Sequence, residues 1–198
     1  EVGTWAGSTL LSFLYNQTNV QYASAVDNFT QFQGDFNVKD MLVNGIKHFL
    51  PGTAIETHLG DKFELNIDIP VPRAYKNFKF QFLESHCFEL DKDRLFGNYN
   101  VYFFDGPHAY EDTKKGFEYY NDHLDNIFVV IIDDWNRDYI QKAWKDVSKE
   151  LEYDILWDKE IVGNGGQATN PNYRMDWWDG FYVGVVRKKS AKTNPLLQ

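Results

Sequence analysis

The sequence predicts an α/β domain built on a doubly wound, mostly parallel sheet. Three observations carry this. Apolar, β-rich runs alternate along the chain with stretches of helical periodicity. One run, Ile127–Ile132 (IFVVII), is apolar throughout, as a central strand covered on both faces must be. The chain also opens on a glycine turn, EVGTWAGST, of the kind that joins the first strand of such a sheet to its first helix.

The elements follow in order. Glu1 and Val2 read as the end of a strand, Gly3 to Gly7 as the turn, and Ser8–Asn16 as a helix with Ser8 its N-cap. Gln21–Val26 (QYASAV) is the second strand. A helix over Phe36–Phe49 carries apolar Met41, Leu42, Ile46 and Phe49. Residues 51–77 hold three prolines and mixed charge, and read as an insertion before the third strand, Phe78–Leu83 (FKFQFL). Next come a strand at Tyr99–Phe104 (YNVYFF) and a helix over Tyr110–Leu124 with Phe117, Tyr120 and Leu124 on one side. After the central strand, Arg137–Leu151 has the clearest helical stripe, Ile140, Ala143, Trp144, Val147 and Leu151, which reads as core. Tyr153–Trp157 and Phe181–Val186 (FYVGVV) complete the strands. Between them, 159–180 is a polar loop ending in Trp177-Trp178, and loops this long are uncommon unless functional. The reading is one domain over 1–188 with a flexible tail, 189–198.

Composition narrows the function classes. With 198 residues, 43% of them hydrophobic, the chain can bury a sizeable core. Its net charge of -9 argues against nucleic acid, which requires a surplus of Lys and Arg, and favours a small-molecule substrate. The single cysteine, Cys87, excludes a disulfide framework and a Cys-based zinc site. Asn16-Gln17-Thr18 and Asn28-Phe29-Thr30 match the glycosylation pattern, which is common by chance. No apolar run approaches the roughly 18 residues of a membrane span and no signal peptide is visible, so the expectation is a cytoplasmic protein with no membrane partner.

Two groups of residues carry chemistry. The first is the opening turn. Ligands of doubly wound sheets bind at the carboxyl ends of strands, and a helix start there favours an anionic group. A pyrophosphate would need glycine where Trp5 stands, so a ligand bearing a carboxylate and an ammonium suits the turn better, with Glu1 placed to hold the ammonium. Asp27 ends the second strand about 20 residues on, where an acid accepts hydrogen bonds from ribose hydroxyls; an ordinary loop aspartate is the alternative. The second group is acidic. Asp105 follows one strand directly (FFDGPHAY), and Asp133 and Asp134 follow the next (VVIIDDWN). Neighbouring parallel strands would bring the three carboxylates to one edge, where oxygen ligation suits Mg²⁺. The alternative has Asp134 capping the following helix. His108, three residues after Asp105, is the candidate base for a substrate hydroxyl. Trp135, Trp177 and Trp178 could stack on a sugar or aryl ring, although core packing is the commoner role.

Taken together, E-V-G-x-x-x-G-x-T, D-G-x-H and D-D-W resemble the class I S-adenosylmethionine-dependent methyltransferases, closest to a small bacterial and metagenomic group with these motifs. The resemblance spans about Glu1 to Lys188 and implies a Rossmann-like methyltransferase fold with an antiparallel last strand. It implies that Glu1, Val2, Gly3, Thr4, Trp5, Gly7 and Ser8 line the methionine part of the cofactor, that Asp27 with Asn28 holds the ribose, and that Ser85 and His86 lie along the adenine. Many relatives have an aspartate at His86, so the backbone of Cys87 or the Ser85 side chain would take over that contact. In related sugar and catechol O-methyltransferases, acids matching Asp105, Asp133 and Asp134 ligate Mg²⁺, and in some a histidine matching His108 is the base; Asp105 also falls at the cofactor's edge. The family has more of the first strand, and usually helices, ahead of the residue matching Glu1, which implies that this chain is a fragment. The expected function is methyl transfer from S-adenosylmethionine to a hydroxyl of a small molecule. Two other readings stay open: a nicotinamide-dependent oxidoreductase, against which Trp5 argues, and a non-catalytic cofactor-binding or interaction protein.

Overall fold

The computed structural model describes residues 1–15, 17, 19–30, 37–50, 53–59, 62–69, 78–163 and 179–189, with no side-chain detail for 53–59 and for 62, 63, 68 and 69. The chain divides into two compact units, Glu1–Phe96 and Gly97–Gln198, each described here by itself. Each holds a four-stranded mixed sheet with helices. The α/β class is thus met, in the form of two open mixed sheets.

In the first unit, α1 (Ser8–Leu14) precedes β1 (Tyr22–Asp27), α2 (Val38–Phe49), β2 (Thr53–Leu59), β3 (Lys62–Ile69) and β4 (Phe78–Glu84). The sheet order is β1-β4-β3-β2. β1 and β4 are parallel, with Asp27 opposite Glu84, and β3 runs antiparallel to both β4 and β2. Glu1–Gly3 lies along the free side of β1: Val2 bridges Val26 in parallel, the Gly3 N–H donates to the Val26 carbonyl at 2.9 Å, and the Val26 N–H donates to the Glu1 carbonyl at 3.0 Å. The core gathers Leu10, Leu14, Ala25, Leu42, Ile46, Leu65, Phe80 and Phe82.

Three expectations change here. The insertion is a β-hairpin that extends the sheet. Leu65 and Ile67 enter the core while Glu64 and Asn66 stay half-exposed, the two-residue alternation of a strand with one covered face. The buried stripe of α2 is Val38, Leu42 and Ile46; Met41 and Phe49 are exposed. Its N-cap is Asn37, whose side chain accepts the Asp40 N–H at 3.1 Å; Phe36 lies outside the described residues. Finally, Ser8 does not cap α1. Gly7, at φ 79°, holds that position with no side-chain cap, and Ser8 is the first helical residue.

The second unit contains β5 (Tyr99–Phe104), α3 (Tyr110–Tyr120), β6 (Leu124–Asp133), α4 (Asp138–Glu150), β7 (Tyr153–Ile161) and β8 (Phe181–Lys188). The sheet order is β5-β6-β8-β7, with β5 parallel to β6, and β8 antiparallel to both β6 and β7. An antiparallel last strand is what the resemblance implied. The expected helix over Tyr110–Leu124 ends earlier, in a short 3-10 turn at Asn121–His123, and Leu124 already begins β6. Ile140, Ala143, Trp144 and Val147 of α4 are buried as the stripe predicts. They meet an aromatic core in which Phe117 lies 4.8 Å from Trp144, and Trp144 5.6 Å from Tyr182, ring centre to ring centre. The loop expected from 159 begins later, since 159–161 are still β7 and pair with β8; 164–178, including Trp177 and Trp178, and the tail from 190 lie outside the described residues.

Candidate functional site

The cofactor candidates of the first unit come together because three parallel segments end at one edge. Gly3, Asp27 and Glu84 terminate the Val2 segment, β1 and β4, and the ladder continues as the Ser85 N–H donates to the Asp27 carbonyl at 3.0 Å. Beyond Val2 the backbone turns sharply: Gly3 (φ 85°), Trp5 (φ 44°) and Gly7 (φ 79°) are all left-handed. At Trp5 that conformation carries a cost of about 1–3 kcal/mol that the surroundings must offset. Asp27 does so. Its Oδ2 accepts the Trp5 N–H at 2.7 Å, and its Oδ1 accepts the N–H of Phe29, also left-handed (φ 54°), at 2.6 Å. The aspartate read as a ribose ligand is therefore also the clamp that shapes the turn, and each oxygen keeps a second lone pair for a ligand.

The other members are placed as follows. Thr4 is buried and its hydroxyl has no hydrogen-bond partner among the described residues. Burial pushes the Glu1 carboxyl up to about 7, with the nearby Asp27 adding to the shift. The Asn28 side chain accepts from both the N–H and the hydroxyl of Thr30, closing a local turn. At the end of β4 the Ser85 hydroxyl donates to the His86 carbonyl at 3.1 Å, and His86 Nδ1 accepts the Phe88 N–H at 3.3 Å. Glu84 pairs with Lys39 at 2.5 Å. A turn with glycines at its bends, a buried hydroxyl with no partner among the described residues and a carboxylate with spare lone pairs fit a small polar ligand.

In the second unit, Asp105, His108, Asp133 and Asp134 gather beyond the carboxyl ends of the parallel strands β5 and β6. His108 Nδ1 is 3.0 Å from Asp134 Oδ2, and Nε2 is 3.9 Å from Asp105 Oδ1, beyond hydrogen-bond length. A carboxylate at Nδ1 assigns the proton there, which leaves the Nε2 lone pair as the basic position. Burial pushes the Asp133 carboxyl above the usual range, against the Asp134 N–H and a hydrogen bond with Asp105. Burial acts the same way on Asp134, but His108 and Arg137 overcome it and hold that carboxyl below its ordinary value.

The acids are not arranged as a metal site. Among the described residues no group of three or more His, Cys, Asp or Glu is placed to hold a metal ion. Asp134 Oδ2 is already shared by His108 and, at 3.2 Å, by the Arg137 guanidinium, a fixed positive charge. Nor does Asp134 cap α4: that helix starts from Arg137 with no side-chain cap. Trp135, weighed as a stacking platform, is core, 1% exposed and 4.5 Å from the Tyr182 ring, with no partner for its indole N–H among the described residues. Sequence reasoning missed Arg137 and Asp179, which reads only as a loop end. The hint was an arginine three residues past a strand-end aspartate. Compared with known proteins, the chain matches no family model, and no curated protein matches it either.

Proposed function

We propose that the protein transfers a methyl group from S-adenosylmethionine to a hydroxyl of a small molecule, on a doubly wound methyltransferase-like scaffold. One observation carries the reading: the glycine turn, Asp27 and Ser85-His86 stand side by side at the ends of three parallel segments. The sheet order β5-β6-β8-β7, parallel except for β8, supports the scaffold. The cofactor supplies an electrophilic methyl on a sulfonium centre, so little covalent work falls to the chain. Its first unit orients: the turn offers backbone N–H groups and the Thr4 hydroxyl, and Asp27 accepts ribose hydroxyls. Within the second unit, His108 Nε2 is the group able to take a proton from a hydroxyl, with the Asp134 carboxylate at Nδ1 to steady the resulting imidazolium. No step passes through a metal.

Calorimetry with S-adenosylhomocysteine tests the cofactor. Saturable binding is expected, weakened by about 1–3 kcal/mol in Asp27→Ala, since ribose hydroxyls lose a charged acceptor and the turn loses its clamp. Binding of NADH with none of S-adenosylhomocysteine would move the protein to nicotinamide chemistry. Cofactor binding with no methyl transfer to any hydroxyl acceptor would leave a binding protein.

A further inference from the structure

Arg137 does more than neutralise an acid. Its Nη2 lies 3.2 Å from Asp134 Oδ2, the same oxygen that faces His108 Nδ1. Its Nε and Nη2 also donate to Asp179 Oδ2 at 3.1 and 3.0 Å. The guanidinium therefore ties Asp134 to Asp179, and both acids belong to a braced turn. The Trp135 N–H donates to the Gly180 carbonyl at 3.2 Å, the Asn136 N–H to the Asp179 carbonyl at 2.7 Å, and the Arg137 N–H to the Asp134 carbonyl at 3.1 Å. The Asn136 amide donates to the Gly163 carbonyl at 2.8 Å and accepts the Gly163 N–H at 3.2 Å, as a strand partner would. Gly180 is needed within this brace, because it sits at φ 71° and a Cβ there would lie 2.7 Å from Asn136 Oδ1. Inside this frame Asp134 itself is left-handed, at φ 55°. The oxygen aimed at His108 on this left-handed residue is thus held from its other side by the Arg137 guanidinium.

We propose that Arg137, braced by Asp179, is a positioning residue that fixes the Asp134 carboxylate and through it the Nδ1–H form of His108, presenting the Nε2 lone pair. The inference rests on the reading of His108 as the base and names the group that sets its orientation. Arginine suits the role because its planar fork reaches two carboxylates in one geometry, which a lysine ammonium does not reproduce. Without the fork, Asp134 Oδ2 is free to leave Nδ1, and the ring relaxes to the Nε2–H form that imidazole side chains prefer in water. That form has no lone pair at the working nitrogen.

Long-range ¹H–¹⁵N correlation on protein labelled with ¹⁵N-histidine reads the tautomer directly, at a pH where His108 is neutral. In the parent protein His108 is expected predominantly as Nδ1–H, and in Arg137→Gln predominantly as Nε2–H, with the other histidines unchanged. Arg137→Lys is expected to restore little of the parent form. Should Arg137→Gln not fold, Asp179→Asn, which removes the charged brace and leaves Arg137 Nη1 on the Tyr139 hydroxyl at 2.9 Å, is expected to shift the tautomer in the same direction to a smaller extent. A parent protein already in the Nε2–H form would overturn the assignment of His108 as the base, and this inference with it. A parent in the Nδ1–H form that Arg137→Gln, or Asp179→Asn in its place, leaves unchanged would overturn the positioning role alone. Binding of S-adenosylhomocysteine, measured separately, bears only on the methyl-transfer reading.

Discussion

Asp133 and Asp134 are neighbours in the chain with opposite responses to pH. Burial raises the Asp133 carboxyl, so its charged form costs the folded state free energy at neutral pH. Its stability contribution is complete below the unfolded value of about 3.9 and is lost as pH rises through the folded value. Asp133→Asn is therefore expected to melt above the parent at pH 7, with the gap closing below about pH 4. Asp134 is the reverse. Its carboxyl is held low by His108 and Arg137 against burial, so its contribution is present above about 3.9 and lost as pH falls through the folded value. Asp134→Asn should cost about 1–3 kcal/mol at pH 7, because His108 and Arg137 then face a neutral amide in place of the carboxylate, and the loss should fade in acid. Melting curves of both variants from pH 3 to 8 check the signs; movement in one direction would refute the assignment. Which residues were candidates was legible in the sequence, since Asp27, Asp105 and the Asp133-Asp134 pair stand directly after apolar runs and His108 follows Asp105 by three residues. What each touches was not. The clamp at Asp27 and the fork at Arg137 depend on left-handed turns at Trp5, Phe29 and Asp134, residue types that do not announce that conformation.

At the scale of elements, α3 shows how a helix can need its weakest helix former. Gly116 is buried in α3, and a Cβ there would meet Phe104 Cε2 at 2.4 Å. Phe104 is itself buried, 6.0 Å from the Phe117 ring, so it has little room to retreat. Alanine for glycine in a helix interior ordinarily gains about 1 kcal/mol. Here the overlap, of about 1–3 kcal/mol, should win, and Gly116→Ala should melt below the parent. A higher melting temperature would mean that α3 does not approach β5 so closely. Strongly periodic elements such as α4 and uniform runs such as β6 were legible because one period dominates them. The hairpin of β2 and β3 was not, although F-E-L-N-I-D-I alternates cleanly from Phe63 to Ile69, because the prolines and charges around it read as a loop. In α2 an apolar count misled: Met41 and Phe49 are as apolar as Leu42 and Ile46, but only positions four residues apart in line with Val38 turn inward.

At the scale of the whole molecule, the alternation of strands and helices sets the class, while pairing between distant strands fixes what kind of sheet results. Nothing local in Phe78–Glu84 says that it pairs with β1 on one side and with an antiparallel hairpin on the other. Among the described residues no helix is long and apolar enough to cross a membrane. Among the described residues Trp135 and Trp144 are buried in the second unit against Tyr182, whereas Trp157, in β7, is 54% exposed and Trp5, in the glycine turn, 43%. The left-handed bend that Asp27 clamps thus leaves an indole in contact with water beside the residues proposed to hold the cofactor. That makes the turn a built-in optical reporter. A purine ligand settling there should strip water from the indole, quench its emission and shift the maximum to shorter wavelength. In Trp5→Phe that response to S-adenosylhomocysteine should disappear while calorimetry still detects binding. A response that persists undiminished would mean that the light comes from elsewhere and the ligand from another side.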